Sequence, residues 1–124
     1  MSAEAIIGQT HVFQVLFVDA TNTPIAVLSP EIEVFYYDNL GIKQVVVATT
    51  AMTDDVTETG RYVYPYTIPT SFADGDTLYG LMSGINPSTS DSTLVEETVN
   101  LVAATRATGG AVTGGLRAQF VKGG

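Results

Sequence analysis

Between Thr59 and Pro69 the chain reads Thr-Gly-Arg-Tyr-Val-Tyr-Pro-Tyr-Thr-Ile-Pro. Tyr62, Tyr64, Tyr66 and Ile68 recur every second residue, a spacing that puts side chains on one face of a strand and never on one face of a helix. Three rings on one face are a large apolar load for a small domain, and a second sheet is the simplest thing to bury them against. Arg61, Val63, Pro65 and Thr67 take the other face. Pro65 has no N–H for a ladder, so this strand is expected at a sheet edge or with a bulge near its middle.

The same period runs through much of the chain. In Thr10 to Val18, His11, Phe13, Val15 and Phe17 form the ring-bearing face, and Val12, Gln14, Leu16 and Val18 the other. In Pro30 to Tyr37, Ile32, Val34 and Tyr36 point inward and Glu31, Glu33, Phe35 and Tyr37 outward. Asp38-Asn39-Leu40-Gly41 is a hairpin turn signal, with Gly41 free to take a positive φ. The chain returns over residues 42–49. Residues 50–58 read as an acidic loop with one short strand near Met52. Residues 77–85 form a strand diluted by Gly80 and Gly84, which mark a bulge or a close backbone approach. In residues 93–102, Val95, Val99 and Leu101 are core candidates, and Glu97 falls awkwardly among them. Ile25 to Leu28 is a brief strand at most, and residues 1–9 are a leader that adds an edge strand or stays mobile. No stretch has a helical period. Short strands with turn signals between them give an all-β sandwich or small barrel, and about seven strands suit a Greek-key sandwich. The expected core is Phe13, Val15, Phe17, Ile32, Val34, Tyr36, Tyr62, Tyr64, Tyr66 and Ile68.

Charge divides the chain. Residues 1–104 hold all 13 acids with only Lys43 and Arg61, a net of −11, whereas residues 105–124 hold Arg106, Arg117 and Lys122 and no acid, a net of +3. Opposite fields of this kind steer assembly. The tail also carries Gly109-Gly110, Gly114-Gly115 and Gly123-Gly124, which make it expensive to order alone. Leu116, Ala118 and Phe120 alternate within it. The domain reading is a leader over 1–9, a body over 10–104 and a Gly-rich basic arm over 105–124. The arm would add a strand to a neighbour through Arg106, Leu116, Arg117, Phe120, Val121 and Lys122.

Chemistry is sparse. With no cysteine there is no disulfide and no thiolate metal site. His11 is the one histidine and reads as a hydrogen-bonded core residue; Gly-x-Ser-x-Gly is absent. Asp54, Asp55 and Glu58 in one loop and Asp74 and Asp76 in another would offer calcium oxygen ligands only if the two loops met. Three basic residues are too few for a nucleic-acid footprint, and no apolar run approaches the roughly 20 residues of a membrane span. The expectation is a non-enzymatic protein with no cofactor and no metal.

Pro30-Glu-Ile-Glu-Val-Phe-Tyr-Tyr37 and Thr59-Gly-Arg-Tyr-Val-Tyr64 resemble strands of the small immunoglobulin-like modules of tailed-bacteriophage virion proteins and some bacterial surface proteins. The Thr59–Tyr64 segment is similar to the Gly-x-Tyr-x-Tyr step that opens a late strand there. The resemblance covers about Gly8 to Val102; the Gly-rich tail departs from it. It implies an immunoglobulin-like sandwich with an extended C-terminal arm, and a homo-oligomeric capsid decoration protein bound to other virion proteins such as the major capsid protein. A tail or neck component is the first alternative. A carbohydrate- or receptor-binding module using the loops around Asp54, Asp74 and Asn86 is the other. A start at Met1 without a basic, apolar signal segment suits a virion part assembled in the host cytoplasm.

Overall fold

The computed structural model describes residues 2–103 and 116–120, and all regular structure in them is strand. In chain order the strands are β1 (Ser2–Ile6), β2 (Thr10–Val18), β3 (Leu28–Tyr37), β4 (Lys43–Ala51), β5 (Thr53–Asp54), β6 (Arg61–Thr67), β7 (Thr77–Ile85), β8 (Ser92–Val102) and β9 (Leu116–Gln119). They form a five-stranded sheet, β1-β8-β7-β3-β4, and a four-stranded sheet, β5-β6-β2-β9. Both are mixed: β1 runs parallel to β8 and β9 parallel to β2, while every other neighbouring pair is antiparallel.

The tyrosine strand lies where its period requires. Tyr62, Tyr64 and Tyr66 of β6 stand opposite Val15, Phe13 and His11 of β2, on the face turned to the other sheet. Tyr62 and Ile68 are buried; Tyr64 and Tyr66 are half-buried and pack on the same core. Burial, and then the neighbouring Tyr64, push the Tyr66 hydroxyl above the ordinary tyrosine range. Pro65 is accommodated by half an edge. β5 pairs with β6 at Tyr62 and Val63, and among the described residues no strand lies on that side of β6 from Tyr64 onward. The Ile68 N–H donates to Gln9 O and the Phe17 N–H to Gly60 O, which sets the alternation of the β2–β6 ladder. By that alternation the Val12–Pro65 pair is non-hydrogen-bonded, and the proline nitrogen points to the open side.

Gly80 and Gly84 mark close approach; the β7–β8 register runs without a shift past both. A Cβ on Gly80 would sit 2.5 Å from the Phe13 ring, and one on Gly84 2.8 Å from Val27 Cγ2 and 3.0 Å from the Phe17 ring. Two phenylalanines of the four-stranded sheet thus rest on bare backbone of the five-stranded one. Phe13, Val15, Phe17, Ile32, Val34, Leu78, Met82, Val99, Leu101 and Ile68 fill the layer between, and Tyr36 packs half-buried at its margin.

Two segments differ from the sequence reading, and the leader takes the first of the two courses left open to it, an edge strand. Ile25 to Val27 is not a strand: the Ile25 N–H donates to Phe17 O at 3.0 Å and the Val27 N–H to the Tyr62 hydroxyl at 3.0 Å, so a buried phenol and β2 take the donors a ladder would need. The leader is strand β1, the parallel edge of the five-stranded sheet. Residues 116–120, read as part of an arm for a neighbour, lie instead on this chain's own β2. Ala118 is 3% and Phe120 1% exposed, and the Phe120 ring centroid is 6.0 Å from that of Phe17.

Candidate interaction surface

The outer face of the five-stranded sheet, away from the core, carries an aromatic cluster. Phe35 of β3 is paired in register with Tyr79 of β7, and their rings stack at 5.5 Å and 18°. Tyr37, two residues along the same face, meets both rings edge-on, at 5.7 Å from Phe35 and 5.5 Å from Tyr79. Lys43 of β4 sets its ammonium 4.4 Å over the Phe35 ring and donates to Glu33 Oε1 at 2.7 Å. Phe35 therefore has only 3% of its surface in water although it lies on the outward parity, while Tyr37 keeps 52%. The sequence placed Phe35 and Tyr37 outward; what it missed is that Tyr79 and Lys43 gather around Phe35 from strands on either side.

The β3–β4 turn extends this cluster. One oxygen of Asp38 accepts the Leu40 and Ile42 N–H groups at 2.9 Å each, and the other accepts from Gln44 Nε2 at 3.1 Å. These bonds, that from Ile42 foremost, hold the Asp38 carboxyl below the ordinary aspartate range. Gly41 takes the left-handed φ of +77° expected of it. The turn so fixed displays Leu40 at 83% and Ile42 at 54% exposure, beside Val45 at 48% on β4. Four large apolar side chains on one rigid hairpin form a patch that water solvates poorly. The β4 edge beside it has no partner strand among the described residues. Its sequence, Lys-Gln-Val-Val-Val-Ala-Thr-Thr-Ala, is rich in β-branched residues and holds one charge.

Behind the hairpin lies an open cleft of about 440 Å³, between Tyr36, Tyr37 and Asp38 on one side and Pro69, Phe72 and Asp76 on the other. Tyr36 and Phe72 meet edge-to-face at 5.3 Å. Both carboxylates serve turns, Asp38 as above and Asp76 by accepting the Ala73 N–H at 2.8 Å.

His11 and Glu97 prove to be one feature. They face each other across the core, Nε2 to Oε2 at 2.6 Å and both buried, with the His11 ring edge-on to Phe13 at 4.8 Å. Glu97, awkward in the sequence, is the partner that the lone histidine requires. Neither residue lines the cleft.

The acidic loops do not meet. Asp54 pairs with Tyr62 at the start of β6, whereas the Asp74 carboxylate accepts the Ala103 N–H beyond the far end of that strand. The six residues from Tyr62 to Ile68 put about 20 Å between them. Asp55 is committed to Thr57, and Glu58 to Arg61 at 2.6 Å. Among the described residues no three acids or imidazoles are placed to hold a metal. Asn86 is buried in the β7–β8 turn, where its side chain accepts the Ser88 N–H, at the Asp54 end of the molecule and away from Asp74.

Of the expected outward apolar residues, Leu16 and Val18 are covered and Val63 is half-buried. Of the expected assembly residues, Leu116 and Arg117 belong to β9 by their backbone and Phe120 is in the core; Arg106, Val121 and Lys122 lie outside the described residues. No protein-family model matches the chain, and no curated protein matches it.

Proposed function

We propose that the chain is an immunoglobulin-like Greek-key sandwich acting as a non-enzymatic structural subunit of a tailed-phage virion, as a capsid decoration or cement protein. The sandwich reading is supported by the path of the chain. β2 to β3, β4 to β5 and β6 to β7 each change sheet, while β3–β4 and β7–β8 stay within one as antiparallel neighbours. The observation that carries the assembly role is the rigid apolar hairpin of Tyr37, Leu40, Ile42 and Val45 above the Phe35–Tyr79 stack. Such a surface suits a lattice of coat subunits, where many weak contacts add by avidity, and the bound state stabilises the particle by mass action. The virion assignment itself rests on the strand resemblance at Pro30–Tyr37 and Thr59–Tyr64.

The test is co-sedimentation with capsid shells lacking decoration, beside a glycan array. Binding to shells that falls at least tenfold in the Tyr37→Ala, Ile42→Ser double variant, with the melting temperature retained, is the expected result. Shell binding unchanged by that variant refutes the assigned face, and glycan binding without shell binding refutes the role. Glycan binding is the alternative reading because the cleft beside Tyr36 and Phe72 offers aromatic and carboxylate groups together. A tail or neck position would show as binding to tails and not to shells.

A further inference from the structure

We infer that the cleft between the β3–β4 turn and the β6–β7 connection binds an organic cation with an apolar stem, the chemistry of an arginine or lysine side chain presented by a partner protein or of a free alkylamine. The inference goes beyond the assembly role and does not depend on it.

The two walls are held separately, so the cleft exists before anything enters it. One wall is the turn that the Asp38 carboxylate ties to the Leu40 and Ile42 N–H groups and to Gln44. The other is residues 69–77. There the Phe72 N–H donates to Pro69 O at 3.3 Å, the Asp76 N–H to Ala73 O at 3.0 Å, and the Ala73 N–H to the Asp76 carboxylate at 2.8 Å. The same loop is stapled to the end of β8. The Gly75 N–H donates to Leu101 O at 2.9 Å, the Leu101 N–H to Asp76 O at 2.8 Å, and the Ala103 N–H to the Asp74 carboxylate at 3.0 Å. Walls that need no ordering leave more of the contact energy for the ligand.

The lining is graded from inside to rim. Tyr36, Val46 and Phe72 are half-buried and pack on the core, and the Tyr36 and Phe72 rings meet edge to face. Asn39, Ser71 and Asp76 are exposed. Lysine and arginine divide themselves in the same way, an apolar stem along apolar surface and a charged head toward water. Aromatic faces add to the attraction for the head. The volume of about 440 Å³ lies near the lower end of the roughly 300–1,000 Å³ of small-ligand sites, which suits one such group.

Charge selects the sign. Two carboxylates line the cleft from opposite walls, and among the described residues no lysine, arginine or histidine does. The bases whose side chains are described are engaged elsewhere. Lys43 lies over Phe35 and on Glu33 at the outer sheet face, and Arg61 donates to Glu58 and Gln14. The hydrogen bonds that Asp38 and Asp76 accept within their turns leave each carboxylate able to accept another from a charged head. Uncompensated negative charge in a concave, partly apolar site concentrates cations and repels anions.

The experiment is an amide NMR titration of the full chain with three probes: acetyl-Gly-Arg-Gly amide, n-butylammonium, and the same peptide with citrulline, a neutral isostere of arginine. Expected are saturable shifts confined to residues 36–39, 46 and 69–77, with a millimolar dissociation constant for at least one cation and binding at least fivefold weaker for the citrulline peptide. Tighter binding of the arginine peptide makes a protein side chain the source, and tighter binding of n-butylammonium a free amine. Either cation should bind at least threefold more weakly to Asp76→Asn, which keeps an oxygen for the Ala73 N–H, and to Phe72→Leu. Binding should be unchanged in Glu96→Gln, which removes the same charge from exposed β8. Should Phe72→Leu fail to fold, Asp76→Asn decides. No saturable shift with either cation, an equal response to the citrulline peptide, or equal weakening in Glu96→Gln overturns the site. A methyl glycoside that shifts these amides while the cations do not overturns it too, and favours the glycan reading. Shell binding is read separately, so failure of the virion role leaves this result standing, and the reverse.

Discussion

Phe120→Ala tests how firmly the last strand is held. In a closed core, truncating a fully buried phenylalanine costs about 3–5 kcal/mol, because the cavity cannot collapse. Here the loss has a ceiling. Once the variant strand prefers to leave, no further stability depends on it. Burying the ring contributes about 4–5 kcal/mol. The backbone bonds to β2, of which Phe120 N–H to Val18 O at 3.0 Å is one, add about 1 kcal/mol each. Ordering the five residues 116–120 opposes this by about 5–10 kcal/mol. These opposing terms nearly cancel, so the net docking energy is at most a few kcal/mol. Urea melts at micromolar protein should show Phe120→Ala and removal of residues 116–124 losing the same amount within about 1 kcal/mol, each keeping a cooperative transition. A point variant more than about 1 kcal/mol worse than the deletion would mean that the strand stays docked around a void. A deletion that abolishes folding would mean that the strand is integral. Either result refutes the ceiling and the near-balance behind it.

Other expectations follow from the core and the turns. Gly80→Ala should lose about 1–2 kcal/mol, overpacking against Phe13 at 2.5 Å outweighing the chain-entropy gain; adding Phe13→Leu should recover part of that in a double-mutant cycle, and simple additivity would disprove the clash. Glu97→Ala should cost about 3 kcal/mol or more by stranding the buried His11 side chain, whereas His11→Leu with Glu97→Leu together should return most of it in thermal melts. Asp38, Asp19 and Asp55 have carboxyls held below their ordinary range, by the Ile42 N–H, the Thr21 hydroxyl and the Thr57 hydroxyl first. Their contribution is full above the unfolded aspartate value near 4 and is lost as pH falls through the lower folded value. The melting-temperature gap between the wild type and Asp38→Ser should accordingly be flat above pH 5 and close toward pH 2; a gap that widens in acid contradicts the sign.

Strand positions were legible because burial follows period two. Tyr62 and Ile68, Phe13 to Phe17 and Ile32 to Val34 all face the core as their spacing requires. Gly80 and Gly84 were legible as close approach because a side chain there had no room. What was hidden lay in partners far apart in sequence. Phe35 read as outward and is outward, yet Tyr79 and Lys43 bury it from neighbouring strands, which no local pattern reveals. Glu97 broke its own strand's alternation and His11 stood alone; each was the signal for the other, but only the facing of two sheets joins them. The tail's place on β2 was hidden for the same reason: Leu116, Ala118 and Phe120 alternate in sequence, and alternation says that a strand will pair without saying with which one.

The two parallel pairings have a consequence for synthesis. Ser2 cannot find Thr98, nor Val15 its partner Leu116, until about a hundred further residues have left the ribosome. Nascent β1 and the outer margin of β2 must wait, unpaired, through the making of everything between, and loop closure over such spans is slow.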